Sequence, residues 1–168
     1  MSDVKPVAHL VGEEKENFKE DHSNRTIMVP MKKWHRSSNC LLLNGMRLNH
    51  GRIRVPVNGW YHVYSVVDFS YQYLYDENFK SFFVNRQSGE NSMKHAIFKS
   101  KQMEEVQEEE VVSTYHPFEL SLNMIYSQYS SFLSMDVYMN AGDELYIKVA
   151  DISLTVNPPR NIFGVYMI

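Results

Sequence analysis

The stretch Gly59–Phe69, reading Gly-Trp-Tyr-His-Val-Tyr-Ser-Val-Val-Asp-Phe, constrains the fold more than any other part of the chain. It is rich in branched and aromatic residues and lacks proline, which is the composition of a β-strand. Side chains alternate across a strand, so one face carries Tyr61, Val63, Ser65, Val67 and Phe69. The other carries Trp60, His62, Tyr64, Val66 and Asp68. An antiparallel sheet normally keeps one face in water. Here both faces are mostly apolar, and each needs a cover. A second sheet of the same chain can supply one; the other is expected to be covered by another copy of the chain.

The same two-faced pattern returns in Val7–Gly12, Tyr129–Asn140 and Ile162–Ile168. Two other stretches are one-faced. In Gly51–Val57, Ile53, Val55 and Val57 oppose Arg52, Arg54 and Pro56; further on, Leu145, Ile147 and Val149 oppose Tyr146 and Lys148. Shorter strands are expected at Thr26–Val29, Met31–His35, Leu41–Leu43, Phe79–Arg86 and Lys94–Ser100. Asn44-Gly45 has the residues of a two-residue hairpin turn, and Asn58-Gly59 and Ala141-Gly142-Asp143 read as further turns. Glu13–Asn24, Tyr71–Asn78 and Asp151–Asn161 read as loops. So does Glu104–Glu110, which holds five glutamates in seven residues and is expected to be solvated. About ten short strands and no convincing helix describe an all-β antiparallel sandwich. We expect a single domain over residues 1–168, with the two-faced strands gathered in one sheet and the one-faced strands in its sister.

A chain of 168 residues with 43% hydrophobic and 22% charged residues can bury a sizeable core. Its net charge of −3 gives no electrostatic case for nucleic acid or an acidic membrane surface. No apolar run approaches the roughly 18–20 residues of a membrane span, and the first residues are polar, unlike a signal peptide. Secretion or membrane tethering is therefore expected to depend on residues upstream. Cys40 is the single cysteine, so an intrachain disulfide is impossible. Asn24-Arg25-Thr26 is a glycosylation sequon. The seven histidines show neither a His-x-His pair nor a His-Glu-x-x-His spacing, and no phosphate loop or nucleophile motif is present. No metal, cofactor or enzymatic activity is expected. His62 reads first as a packed or hydrogen-bonded histidine; three copies near a threefold axis are expected to make the assembly sensitive to acid, loosening it below about pH 6.

Four segments carry a family resemblance. They are Val7-Ala8-His9-Leu10; Leu43-Asn44-Gly45 through Val55 and on to Gly59-Trp60-Tyr61-His62-Val63-Tyr64-Ser65; Phe132 through Gly142-Asp143-Glu144-Leu145; and the closing Phe163-Gly164. In this order and at these intervals the chain resembles the tumour necrosis factor ligand superfamily. The resemblance implies a ten-stranded jelly roll that forms a compact homotrimer. It also implies an extracellular ligand, secreted or shed from a single-pass precursor, that clusters cysteine-rich receptor ectodomains. It places His62, Tyr64, Val66, Phe132, Ile162 and Ile168 at the trimer interface. Receptor contacts would fall on loops carrying Arg25, Lys32, Tyr73, Tyr75, Ser88, Glu90 and Asn91, with Asn24 glycosylated. Ser134 and Met135 stand where relatives often have glycines, and Ser88–Ser92 lacks the apolar tip several of them use. The alternative is a complement-like trimeric jelly-roll head that binds varied surfaces; the Ala-His start and Phe-Gly end favour the ligand. A monomeric sugar-binding jelly roll would leave the second apolar face uncovered.

Overall fold

A computed structural model of the chain describes residues 4–12, 28–35, 40–71, 93–101, 107–116, 127–150 and 160–168. These residues contain twelve strands in chain order and no helix. They are β1 (Val7–Gly12), β2 (Val29–Pro30), β3 (Trp34–His35), β4 (Leu41–Leu43), β5 (Arg47–Asn49), β6 (Arg52–Arg54), β7 (Gly59–Tyr71), β8 (Met93–Ser100), β9 (Glu108–His116), β10 (Ser127–Met139), β11 (Glu144–Val149) and β12 (Ile162–Met167). The strand expected at Phe79–Arg86, the loop Tyr71–Asn78 beyond its first residue, the whole loop Glu13–Asn24 and most of the loop Asp151–Asn161 lie outside the described residues.

Two antiparallel sheets of six strands form the sandwich. In sheet A the order is β10-β7-β12-β1-β3, with β4 also paired to β1; in sheet B it is β5-β6-β11-β8-β9, with β2 paired to β11. Every two-faced strand of the sequence (β1, β7, β10, β12) is in sheet A, and both one-faced strands (β6, β11) are in sheet B. The grouping follows the alternation read from the sequence: the strands apolar on both faces pair with one another.

The core lies between the sheets. Tyr61, Val63, Val67 and Phe69 of β7 are fully buried against Ile53, Ile97, Leu145 and Ile147 of sheet B and beside Leu10, Phe163 and Val165 of sheet A. Fully burying each such side chain stabilises by roughly 1.5–3 kcal/mol. One polar group crosses this layer. His95 of β8 is fully buried; its Nε2 lies 2.9 Å from the Ser65 hydroxyl of β7 and its Nδ1 lies 2.8 Å from the Ser131 hydroxyl of β10. A neutral imidazole has one donor and one acceptor nitrogen, and the two hydroxyls satisfy both.

Three sequence expectations need correction. Asn44 (φ 58°) and Gly45 (φ 93°) do form a tight turn, closed by Met46 N–H donating to the Leu43 carbonyl at 3.3 Å. The flanking strands do not pair, however. β4 joins β1 in sheet A and β5 joins β6 in sheet B, so the turn carries the chain from one sheet to the other. The hairpin on this side is the next one, turning at His50 (φ 49°) and Gly51 (φ 80°). A Cβ on Gly51 would sit 2.6 Å from the Met31 carbonyl oxygen, so this position demands glycine on both conformational and steric grounds.

The second correction concerns the glutamate run: Glu108, Glu109 and Glu110 belong to strand β9, paired to β8. Glu110 meets Lys94 at 3.0 Å and Glu108 meets Lys148 at 2.6 Å, and the charges suit an edge strand, where they oppose further pairing. The third is Tyr146, expected on a wet face and found 1% exposed. Arg52 lies over its ring at 4.2 Å, Phe98 stacks beside it at 5.9 Å, and its hydroxyl donates to Glu108. Burial, reinforced by that carboxylate, raises the Tyr146 hydroxyl above the ordinary tyrosine range. Burial pushes the Glu108 carboxyl up, but its bonds to Lys148 and Tyr146 outweigh this and leave it below the usual value.

Candidate assembly face

The face of sheet A turned away from sheet B is built by register. β10 and β7 pair Phe132 with Val66, Ser134 with Tyr64, Asp136 with His62 and Tyr138 with Trp60. β12 continues the rows, setting Ile162 beside Val66, Gly164 beside Tyr64 and Tyr166 beside His62. β1 adds Val11 beside Ile162, His9 beside Gly164 and Val7 beside Tyr166. Directly opposed residues share a face. His62, Tyr64, Val66, Phe132 and Ile162 are thus on one surface, and Ile168 follows in phase at the end of β12.

The chain itself leaves this surface largely open. Phe132 is 62% exposed, Trp60 57% and Ile168 53%, with Tyr138, Tyr166, Leu41 and Leu43 also exposed. Trp60 and Tyr138 meet edge to face at 5.7 Å. An apolar, aromatic area of this kind marks an interaction surface in a water-soluble fold.

Polar groups on the face are paired. His62 Nδ1 lies 2.6 Å from Asp136 Oδ1, and its ring packs on Tyr166 at 5.2 Å. Tyr64 lies flat across Gly164: a Cβ on Gly164 would sit 1.9 Å from the Tyr64 Cζ. The Tyr64 hydroxyl reaches His9 Nδ1 at 2.6 Å. Burial raises the Tyr64 hydroxyl above its ordinary value, and the neighbouring Tyr166 raises it further, so Tyr64 stays a donor at physiological pH.

Asp68, at the far end of the same face, is only 7% exposed. It accepts from the Ser130 hydroxyl at 2.7 Å and lies 3.8 Å from Arg160 Nε.

Sequence reasoning found the β7, β10 and β12 apolar positions. It missed His9, Asp136 and Tyr138 as members of the face, and it put Tyr166 on the same face as Ile162 and Ile168. Alternation within β10 carried the signal for Tyr138; the pairings of His9 and Asp136 need the register between distant strands. Of the loop residues, Lys32 is exposed, while Asn24, Arg25, Tyr73, Tyr75, Ser88, Glu90 and Asn91 lie outside the described residues. Among the described residues no group of three His, Cys, Asp or Glu side chains could hold a metal ion, and no helix is long and apolar enough to cross a membrane.

Residues 32–168 match the TNF (Tumour Necrosis Factor) family, and the chain belongs to that family. No curated protein matches the chain. Strand β1 lies ahead of the matched residues, yet it is part of the same sheet through its pairing with β12.

Proposed function

We propose that the chain is a single TNF-type ligand domain, acting outside the cell after secretion or release from a single-pass precursor. Three copies pack the outer faces of sheet A around a threefold axis. His62, Tyr64, Val66, Phe132, Ile162 and Ile168 form the interface, and the crevices between neighbours take cysteine-rich ectodomains of the TNF-receptor type. The loops carrying Arg25, Lys32, Tyr73, Tyr75, Ser88, Glu90 and Asn91 line those crevices, and Asn24 bears a glycan. One observation carries the reading: a chain of a cytokine family leaves an aromatic face uncovered, centred on Phe132, Trp60 and Ile168. Three copies would gain signalling strength by engaging several receptors at once.

The test begins with sedimentation equilibrium at micromolar concentration. The expected mass is three times 19.8 kDa. Phe132→Glu, at a position 62% exposed in the single subunit, leaves the fold intact and buries a carboxylate in each interface; assembly weakens about a thousandfold, or about 4 kcal/mol. A folded wild-type monomer at this concentration would overturn the assembly. A trimer that binds none of a panel of immobilised cysteine-rich receptor ectodomains would overturn the ligand assignment alone.

A further inference from the structure

Among the described residues one edge of sheet B is formed by β5 and β6, on a different sheet from the assembly face. β5 and β6 form the edge hairpin, and their register sets Arg47 directly opposite Arg54. Ile53 and Val55 are buried in the core, so the alternating Arg52 and Arg54 lie on the opposite, outer face of sheet B, both half-buried, and Arg47 lies on that face with its partner Arg54. Like charges directly opposed across a strand pair destabilise it. The nearby carboxylate, Glu144, is shared: it lies 3.8 Å from Arg54 and 3.9 Å from Arg52. Among the described residues Arg47 has no carboxylate partner. Arg47 and Arg54 thus form a like-charged pair across this hairpin, while Arg52 lies over the Tyr146 ring and acts on the Glu108 carboxylate.

The two opposed arginines flank a cleft of about 310 Å³ lined by Gly45, Arg47, Arg54, Val55, Pro56 and Gly142. Among the described residues no carboxylate lines it. Its walls are fixed turns. Gly45 and Gly142 have φ of 93° and 92°, and Gly142 N–H donates to the Val55 carbonyl at 2.9 Å. A Cβ on Gly45 would meet the Pro56 ring at 2.8 Å, so the turn and the proline close one side.

We propose that this cleft binds a tetrahedral oxyanion, a sulfate or phosphate group, held between the guanidinium forks of Arg47 and Arg54. A guanidinium presents paired N–H donors in a rigid fork. One fork satisfies the two oxygens of a carboxylate; two forks suit an anion with three or four oxygens. Such an anion also removes the repulsion between the opposed arginines. The site goes beyond the assembly reading and does not depend on it.

The test follows backbone amide shifts of Gly45, Arg47, Val55 and Gly142 while sodium sulfate, then inorganic phosphate, then a sulfated disaccharide is titrated against sodium chloride at equal ionic strength. Saturable local shifts are expected with the oxyanions and not with chloride. Arg47→Gln, an exposed position, weakens binding about tenfold or more, and Arg47→Lys, which keeps the charge but loses the fork, falls between. A disaccharide bound at least about tenfold tighter than free sulfate identifies a glycan as the carrier; equal affinities identify the free anion; both support the site. Shifts that fail to saturate, or that survive Arg47→Gln, overturn it.

Discussion

Lowering the pH from 7 to 4 is expected to remove about 3 kcal/mol of folding stability through one side chain, His95. Its imidazole is fully buried between the sheets, and burial lowers its pKa from 6.5 to about 3. The unfolded chain therefore takes up a proton near pH 6.5 that the folded chain refuses until about pH 3. Stability from this group is complete above the unfolded value, falls by about 1.4 kcal/mol per pH unit through the window, and stops falling below the folded value. The measurement is urea unfolding at several pH values and one fixed protein concentration, since assembly couples to stability. His95→Gln keeps a donor and an acceptor for Ser65 and Ser131 but cannot titrate. Carboxylate effects, including that of Glu108, are common to both proteins and cancel in the difference. The wild-type curve should lose about 3 kcal/mol relative to the variant between pH 7 and 4. Should the variant fold too poorly to measure, the imidazole resonances of the wild type report the same quantity. A His95 that titrates near pH 6 in the folded protein contradicts the prediction.

The buried histidine also shows where the sequence stopped being informative. Seven histidines could be counted, but His95 sits in a short strand whose neighbours, Lys94 and Ala96, give no sign that it points inward. Alternation in β7 puts His62 on the open face, where it lies beside Asp136. Pairing between β7 and β10 decides that contact, across 74 residues of chain. Within a strand, side-chain period fixes the face, which is why the division into two sheets was legible. Between strands, register depends on the whole fold. The same limit explains the Asn44-Gly45 turn: its backbone conformation is local and was readable, whereas its use as a crossing between sheets is set by where β4 and β5 find partners. Glu108–Glu110 are exposed, as their charge implies, but they lie in a strand rather than a loop, because Lys94 and Lys148 supply ion pairs that let an edge strand carry them.

Gly164→Ala is expected to destabilise the subunit by about 2 kcal/mol and to do so through Tyr64. Glycine is not needed here for backbone freedom, since no left-handed φ occurs at this residue. It is needed for space. The new methyl would stand 1.9 Å from Tyr64 Cζ and 2.2 Å from its hydroxyl oxygen, so the ring must rise from the sheet. It then loses its packing over β12 and the 2.6 Å bond to His9, and it projects from the face proposed to meet the neighbouring subunits. Loss of the bond and of the ring contacts costs about 1 kcal/mol each, and the displaced ring weakens assembly in addition. The coupling is what identifies the mechanism. In Tyr64→Ser the ring is absent, and adding Gly164→Ala to that background should cost only a few tenths of a kcal/mol, since alanine fits an ordinary strand at least as well as glycine. Chemical unfolding of the wild type, both single variants and the double variant gives the interaction energy directly. A coupling near zero would mean that Gly164 is required by something other than the Tyr64 ring, and the account of how this face is kept flat would be wrong.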